Sequence, residues 1–323
     1  MLATDLQEVL GQSSPAEIRI LNRNSLLKRI NRSKYLLVLL IPCIIYYIIF
    51  SYVPMWGVLI AFKNYKVYTG FAGSDWVGIK YFRLFFSSPD MFELLRNTFL
   101  LGLYSLLWGF PFPLIFALVL NEAKPLKFKK AVQTISYIPH FLSTVVVVGL
   151  VQLFLSPTFG FVNKIIEDLG FARIVFLQNP EYFRTIFIST GIWQNIGWGA
   201  IVYIAALSRI DPNLYEAAMI DGANRFKKLI YITLPCISPT IITLFLLATG
   251  EILGVGFEKA YLLQNDAILS TADVIQTYVW RQGLQRGNFS YATAVGLFNS
   301  VVNLFFLVLS NTLARRYSET SLW

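Results

Sequence analysis

Between Tyr291 and Leu313 the chain runs for 23 residues without one charged side chain. A helix of that length spans the ~30 Å hydrocarbon layer of a bilayer, and an apolar run this long has few other stable fates. Five further runs share its character. Together they predict an all-α membrane protein with about six transmembrane helices, near 35–60, 98–120, 131–155, 186–207, 236–257 and 291–313. Composition agrees, since 56% hydrophobic and only 14% charged residues exceed what a soluble domain carries. Pro139 and His140 interrupt the start of the third run. Pro42, Pro54, Pro111 and Pro113 fall inside or at the ends of others, which predicts packed and partly broken helices.

The distribution of lysine and arginine sets the orientation. An even number of spans puts both termini on one side. That side holds Arg19, Arg23, Lys28, Arg29, Arg32 and Lys34, then Lys124, Lys127, Lys129 and Lys130, the 208–235 loop, and Arg315 with Arg316. These make 16 of the 27 basic residues, so the positive-inside rule predicts cytoplasmic termini. The expected organisation is a basic cytoplasmic segment over 1–34 and a first transmembrane helix over 35–62. An extracytoplasmic loop over 63–97 follows, then a transmembrane core over 98–313 with a cytoplasmic loop at 208–235, and a cytoplasmic tail over 314–323. The net charge of +9 faces anionic headgroups and requires no nucleic acid. Cys43 and Cys236 lie in or beside apolar runs, where a buried thiol is a better reading than a disulfide or metal pair.

The 208–235 loop carries the most specific local pattern. Asp211-Pro212 is a helix start, with an acceptor side chain followed by a residue whose missing N–H costs nothing there. Asn213 to Ile220 then make about two turns, Gly222 ends them in a left-handed conformation, and Asn224 caps a second helix leading into the fifth span. Ala217 and Ala218 leave a face without bulk, while Glu216 and Asp221 offer carboxylates to a partner. An ordinary capped turn would explain any one of these features. Their joint spacing suits a docking surface.

Glu216-Ala217-Ala218, Asp221-Gly222-Ala223, Ile232 and Leu234-Pro235 resemble the EAA signature of permease subunits of binding-protein-dependent ABC importers. The resemblance covers nearly all the chain after the leading segment. It is strongest to carbohydrate-uptake permeases of the lipoprotein LplB and alginate-importer type. Tyr52-Val53-Pro54-Met55-Trp56-Gly57, Tyr137-Ile138-Pro139-His140-Phe141, Leu262-Leu263-Gln264-Asn265 and the ending Thr320-Ser321-Leu322-Trp323 look like that subgroup. The resemblance implies the type I ABC importer (MetI-like) permease fold and a bacterial cell-membrane location. It also implies four kinds of partner: a second permease, two ATPase subunits, an extracytoplasmic solute-binding protein, and a sugar or oligosaccharide solute. Glu216, Ala217, Ala218, Asp221, Gly222 and Ala223 would couple to the ATPases.

The residues themselves agree with a subunit that supplies a pathway and not the energy. The chain has no Gly-x-x-x-x-Gly-Lys-Ser/Thr, so ATP and magnesium are expected on a partner and no cofactor on this chain. A single histidine, His140, supports neither a metal centre nor a catalytic triad, and reads best as a capping or interfacial residue. The expected substrate path is Trp193, Gln194, Asn195 and Trp198 on the fourth span with Thr249 and Glu251 on the fifth. Indole faces cover sugar rings, and amides and a carboxylate bind hydroxyls. Tryptophans in an interfacial belt and a structurally paired Glu251 are the competing explanation. The resemblance implies an oligosaccharide, uronate- or rhamnose-containing chains included. Glu251 would repel an acidic chain, so local chemistry leans toward a neutral one.

Two outer loops, 63–97 and 258–290, are expected to form short amphipathic helices and a docking rim. They supply Trp76, Tyr81, Phe82, Phe85, Phe86, Tyr278, Trp280, Arg281 and Arg286. A secondary transporter is the rival class. It would carry a coupling-ion site and an internal repeat, whereas no repeat is evident and Glu251 is the one clear intramembrane carboxylate. An ABC importer of a non-sugar solute is a further alternative, and a membrane enzyme a weaker one.

Overall fold

The computed structural model describes residues 34–123 and 125–317. The leading segment, Lys124 and the Thr320–Trp323 ending lie outside the described residues. Among the described residues there is no strand, only an isolated bridge between Lys63 and Trp76. The chain divides into two compact units, one ending at Leu59 and one running from Ile60.

The described part of the first unit belongs to one apolar helix. It begins with α1, Lys34–Tyr47, which continues through a wider turn at Ile48–Tyr52 into a tighter one that reaches Phe62. Pro42 and Pro54 sit within it without ending it. Every residue from Leu37 to Trp56 is exposed, so the helix presents Ile, Leu and aromatic side chains outward all round. Such a surface is stable only against lipid or other apolar helices.

The second unit holds the other spans. After the short α2, Lys80–Phe86, comes α3, Met91–Tyr104, which passes through a π turn at Ser105–Gly109 into α4, Pro111–Glu122. The whole Met91–Glu122 helix is 32 residues, starting seven residues before the expected 98. Next, α5, Leu126–Tyr137, and α6, Thr144–Phe154, meet at a 100° bend. The expected continuous helix over 131–155 is therefore corrected to a broken pair. Pro139 removes a backbone donor, and Ser143 starts the new helix by accepting from the Val146 amide at 3.4 Å.

The short α7, Phe161–Asp168, leads to α8, Pro180–Leu207, a 28-residue helix and about 42 Å long at 1.5 Å per residue. Asn179 caps it, accepting from the Glu181 amide at 3.0 Å. Four helices are apolar enough throughout to count as spans by hydropathy, and the bent pair makes a fifth. The 28-residue α8 falls below that apolar level, diluted by Gln194 and Asn195 in its middle.

Beyond α9, Pro212–Ile220, the fifth span rises through α10, Arg225–Lys228, a π turn, and α11, Leu234–Gly250. It stops at Gly250, seven residues short of the expected 257. The Asn303 side chain accepts from the Leu253 amide at 3.0 Å, so a neighbouring helix satisfies the backbone that would have continued. Three short helices follow, α12 (Phe257–Leu263), α13 (Leu269–Ala272) and α14 (Ile275–Trp280), before the final span α15, Phe289–Tyr317.

Small residues let these helices touch. A Cβ on Gly102 would lie 1.7 Å from the Ile252 carbonyl oxygen, and one on Gly197 would lie 2.3 Å from that of Ser136. Backbone-to-backbone approach of this kind is how membrane helices gain dispersion contact without a hydrophobic drive. One core cluster joins α3, α6, α8 and α12–α14 through Leu101, Val148, Phe183, Phe187, Ala260 and Val274. Another packs Ala117 of α4 against Ala200 and Tyr203 of α8 and Ile237 of α11.

The outer loops fold as short helices, and part of the expected rim turns inward. Phe85 and Tyr278 are buried with Tyr291 and Val295 in a third cluster. Arg281 is paired with Asp273. Trp76, Phe86 and Arg286 stay exposed.

Candidate functional site

Two constellations emerge, one in the loop between the fourth and fifth spans and one along α8. The first is α9. Asp211 accepts from the Asn213 amide at 3.0 Å with Pro212 at the first helical position, as the sequence predicts. At the other end Gly222 has φ +73°. The Ala223 amide reaches back to the Ala218 carbonyl at 2.8 Å and the Gly222 amide to that of Met219 at 3.1 Å. That pair of bonds is the Schellman closure, and it requires a residue at ease with positive φ. Asn224 then accepts from the Lys227 amide at 2.8 Å and starts α10.

This stubby helix buries nothing. Glu216, Ala217, Asp221 and Gly222 are exposed, with Ala218 and Ala223 half-buried. Leu214, Met219 and Ile220 are also exposed, Ile220 to 88%. An isolated nine-residue helix with bare apolar side chains is a surface awaiting a partner. Sequence reasoning chose the carboxylates and alanines and passed over Met219 and Ile220, whose place just before the glycine marks them as the apolar edge of the same surface.

The second constellation lies along the middle of α8. The His140 ring stacks on Trp198 with centroids 4.4 Å apart and planes 4° from parallel, and Phe141 meets the same indole edge-on at 5.7 Å. His140 Nδ1 lies 3.0 Å from Asn195 Oδ1, while the Asn195 amide donates to the Gly191 carbonyl at 3.0 Å. Gln194 donates to the Leu142 carbonyl at 3.2 Å. The break between α5 and α6 thus delivers His140 and the Leu142 carbonyl to α8. One indole face of Trp198 is already covered, leaving less of it for a sugar than the sequence implies.

Trp193 is exposed, and Thr249 is buried with its hydroxyl donating to the Leu246 carbonyl at 2.8 Å. Glu251 is exposed and lines an open cavity of about 340 Å³ with Ser105, Phe110 and Lys259. An adjoining cavity of about 270 Å³ is lined by Asn195, Gly191, Pro113 and again Ser105 and Lys259. Both touch the π turn at Ser105–Gly109, a distortion that recurs at functional sites. The structure thus brings Asn195 and Glu251 to neighbouring cavities, holds Gln194 and Trp198 against the α5–α6 break, and turns Thr249 into packing.

Lys259 was missed by sequence reasoning, which counted it as one more outer-loop charge. It sits on α12, after the fifth span, half-buried, with Nζ donating to the Phe187 carbonyl at 2.8 Å and lying 3.9 Å from that ring's centroid. Burial lowers the pKa of its ammonium. The lean toward a neutral solute rested on Glu251 alone, and a cation now shares its cavity.

These features define an all-helical, multi-pass membrane protein with an exposed, capped helix between spans and cavities between helices that polar groups reach. Residues 91–319 match the profile of the binding-protein-dependent transport system inner membrane component, and the chain belongs to that family. It is 46% identical over 294 residues to Protein LplB of Bacillus subtilis (strain 168), covering 91% of this chain and 92% of that one. It is 44% identical over 301 residues to the polygalacturonan/rhamnogalacturonan transport system permease protein YteP of the same organism, covering 93% and 94%. A crystal structure of a bacterial alginate ABC transporter, in complex with alginate pentasaccharide-bound periplasmic protein, contains a chain matching at TM-score 0.84 and 44% identity, over 91% of this chain and 99% of that one. The protein is a membrane permease subunit of the MetI-like fold, not an enzyme.

Proposed function

We propose that this chain is one half of the translocation path of an ATP-driven importer of oligosaccharides. The observation that carries the reading is the near full-length likeness, at 44% identity and TM-score 0.84, to a permease chain of an alginate importer. In this reading a second permease completes the path and an extracytoplasmic binding protein delivers the solute. Two ATPase subunits seat α9 through Glu216, Ala217, Ala218, Asp221, Gly222 and Ala223, with Met219 and Ile220 as the apolar contact. Both termini and α9 face the cytoplasm, in keeping with the clustering of lysine and arginine on that side. ATP and magnesium stay on the partner.

The path runs by Trp193, Gln194, Asn195, Trp198 and Glu251, with the cavities between α8 and the fifth span as its open part and Thr249 packed behind it. Relatives that handle polygalacturonan, rhamnogalacturonan and alginate make acidic polysaccharide fragments the first solutes to test. The test is purified binding protein titrated against a sugar panel, then uptake of the best ligands by the reconstituted transporter. Uptake of an amino acid or phosphate, with no sugar taken, would sink the carbohydrate reading.

A further inference from the structure

We propose that Lys259 is the charge-selecting residue of the translocation path, offering its ammonium to the carboxylates of an acidic oligosaccharide as they pass between α8 and the fifth span. The proposal rests on the oligosaccharide reading above and deepens it.

Position is the first argument. The cavity containing Glu251 and the cavity containing Asn195 share only Ser105, Phe187 and Lys259. Lys259 therefore stands where the two adjoin, and a solute moving from one to the other passes its Nζ.

Availability is the second. A lysine ammonium has three N–H donors, and Lys259 spends one on the Phe187 carbonyl at 2.8 Å. Among the described residues the ion pairs are Arg173–Glu167 and Arg281–Asp273, so Lys259 has no carboxylate partner although Glu251 lines the same cavity. No second hydrogen bond of Nζ is seen among the described residues, and Lys259 lines both open cavities, where a solute can meet it. Space has also been cleared for the head group, because a Cβ on Gly191 would come within 2.9 Å of Nζ.

The balance with Glu251 is the third. An ammonium alone in a half-buried site would hold an anion too long for passage, whereas conduction needs entry without trapping. A carboxylate in the same cavity opposes tight binding of an anionic sugar and shortens its stay. The cation selects and the anion releases.

The experiment uses the complete transporter, with second permease, ATPases and binding protein, reconstituted into liposomes. Uptake of oligogalacturonate and of its neutral methyl ester is measured for wild type, Lys259→Arg and Lys259→Gln. Arginine keeps the charge. Glutamine keeps a donor for the Phe187 carbonyl without the charge. Lys259→Gln is expected to lose about ten-fold or more of oligogalacturonate uptake, the size of one lost charge-assisted hydrogen bond. Lys259→Arg should stay within about three-fold of wild type, a loss of well under one such bond. Binding-protein affinity is expected to be unchanged in both.

Wild-type uptake by Lys259→Gln, or equal losses in both variants, would overturn the proposal and leave Lys259 a packing residue. Wild-type uptake of neutral but never acidic oligosaccharide would overturn it while leaving the importer reading intact. No uptake of any sugar by wild type would strike the importer reading first and take the proposal with it.

Discussion

The phenol oxygen of Tyr215, on the exposed helix α9, lies 2.9 Å from Oγ1 of Thr233 at the foot of the fifth span. Thr233 Oγ1 is also 3.3 Å from the Lys228 carbonyl, which it can reach as donor. The bond between Tyr215 and Thr233 ties the exposed helix α9 to the span that ends just before Glu251. In the proposed mechanism, movement of α9 by an ATPase is passed upward through this link and through α10.

Removing the link should therefore uncouple without unfolding. Tyr215→Phe and Thr233→Val are each expected to lose about 1 kcal/mol of the connection, roughly a five-fold fall in binding-protein-stimulated ATP hydrolysis, with membrane insertion unchanged. The double variant should be no worse than either single one. Fully additive losses would show that the two residues act separately.

The Gly222 turn yields a second expectation. Nothing lies within 4 Å of a Cβ built there, so the cost of a side chain is backbone strain at φ +73° and not a clash. Gly222→Val should cost on the order of 1–2 kcal/mol in α9 closure, and Gly222→Asn less, since asparagine tolerates the left-handed region. Stimulated ATP hydrolysis should rank glycine, asparagine, valine. Equal activity in all three would remove α9 from the coupling path.

Much of α9 was legible in the sequence because its determinants are local. Asp211, Pro212, Gly222 and Asn224 each act on backbone within a few residues, and each does what its position predicts. What the sequence hid depends on distant partners. The early end of the fifth span at Gly250 is set by Asn303, some fifty residues on. The bend before Thr144 was visible as Pro139, but not its consequence, the stacking of His140 on Trp198. Lys259 looked like a loop charge because nothing local brings it against Phe187, the backbone contact that places it between two cavities.

Helix contact through glycine is testable as stability. Gly102→Val places a side chain where a Cβ would already sit 1.7 Å from the Ile252 carbonyl oxygen. The helices must separate, at a cost of about 1–3 kcal/mol. In detergent the thermal aggregation midpoint should fall, while Gly149→Ala, with open space around its Cβ, should leave it unchanged. Matching midpoints would mean that the close approach of α3 does not hold in the folded protein.

Orientation has its own measurement. Single cysteines at Asn213 and Asn288, both exposed, in a background lacking Cys43 and Cys236, should react differently with a membrane-impermeant maleimide in cells with a permeable envelope. Asn288 should label and Asn213 should not. Labelling at Asn213 before lysis would reverse the topology.

The path residues divide by what they touch. Glu251→Gln removes a charge from an open cavity and should change uptake or its selectivity, whereas Thr249→Val disturbs only an internal hydrogen bond and should act on stability. Trp198→Ala also frees His140, so its effect on uptake should exceed that of Phe141→Ala. Wild-type kinetics for Glu251→Gln and Trp198→Ala together would return both to a structural role.

ATP-driven import of oligosaccharide is measured as uptake by the reconstituted transporter under separately controlled energy sources. Labelled oligogalacturonate and neutral oligosaccharides are presented with the binding protein, with ATP inside the liposomes or with an imposed proton or sodium gradient instead. Sugar accumulation is expected to require both ATP and the binding protein and to ignore the gradients. Accumulation driven by an ion gradient without ATP would contradict ATP-driven import.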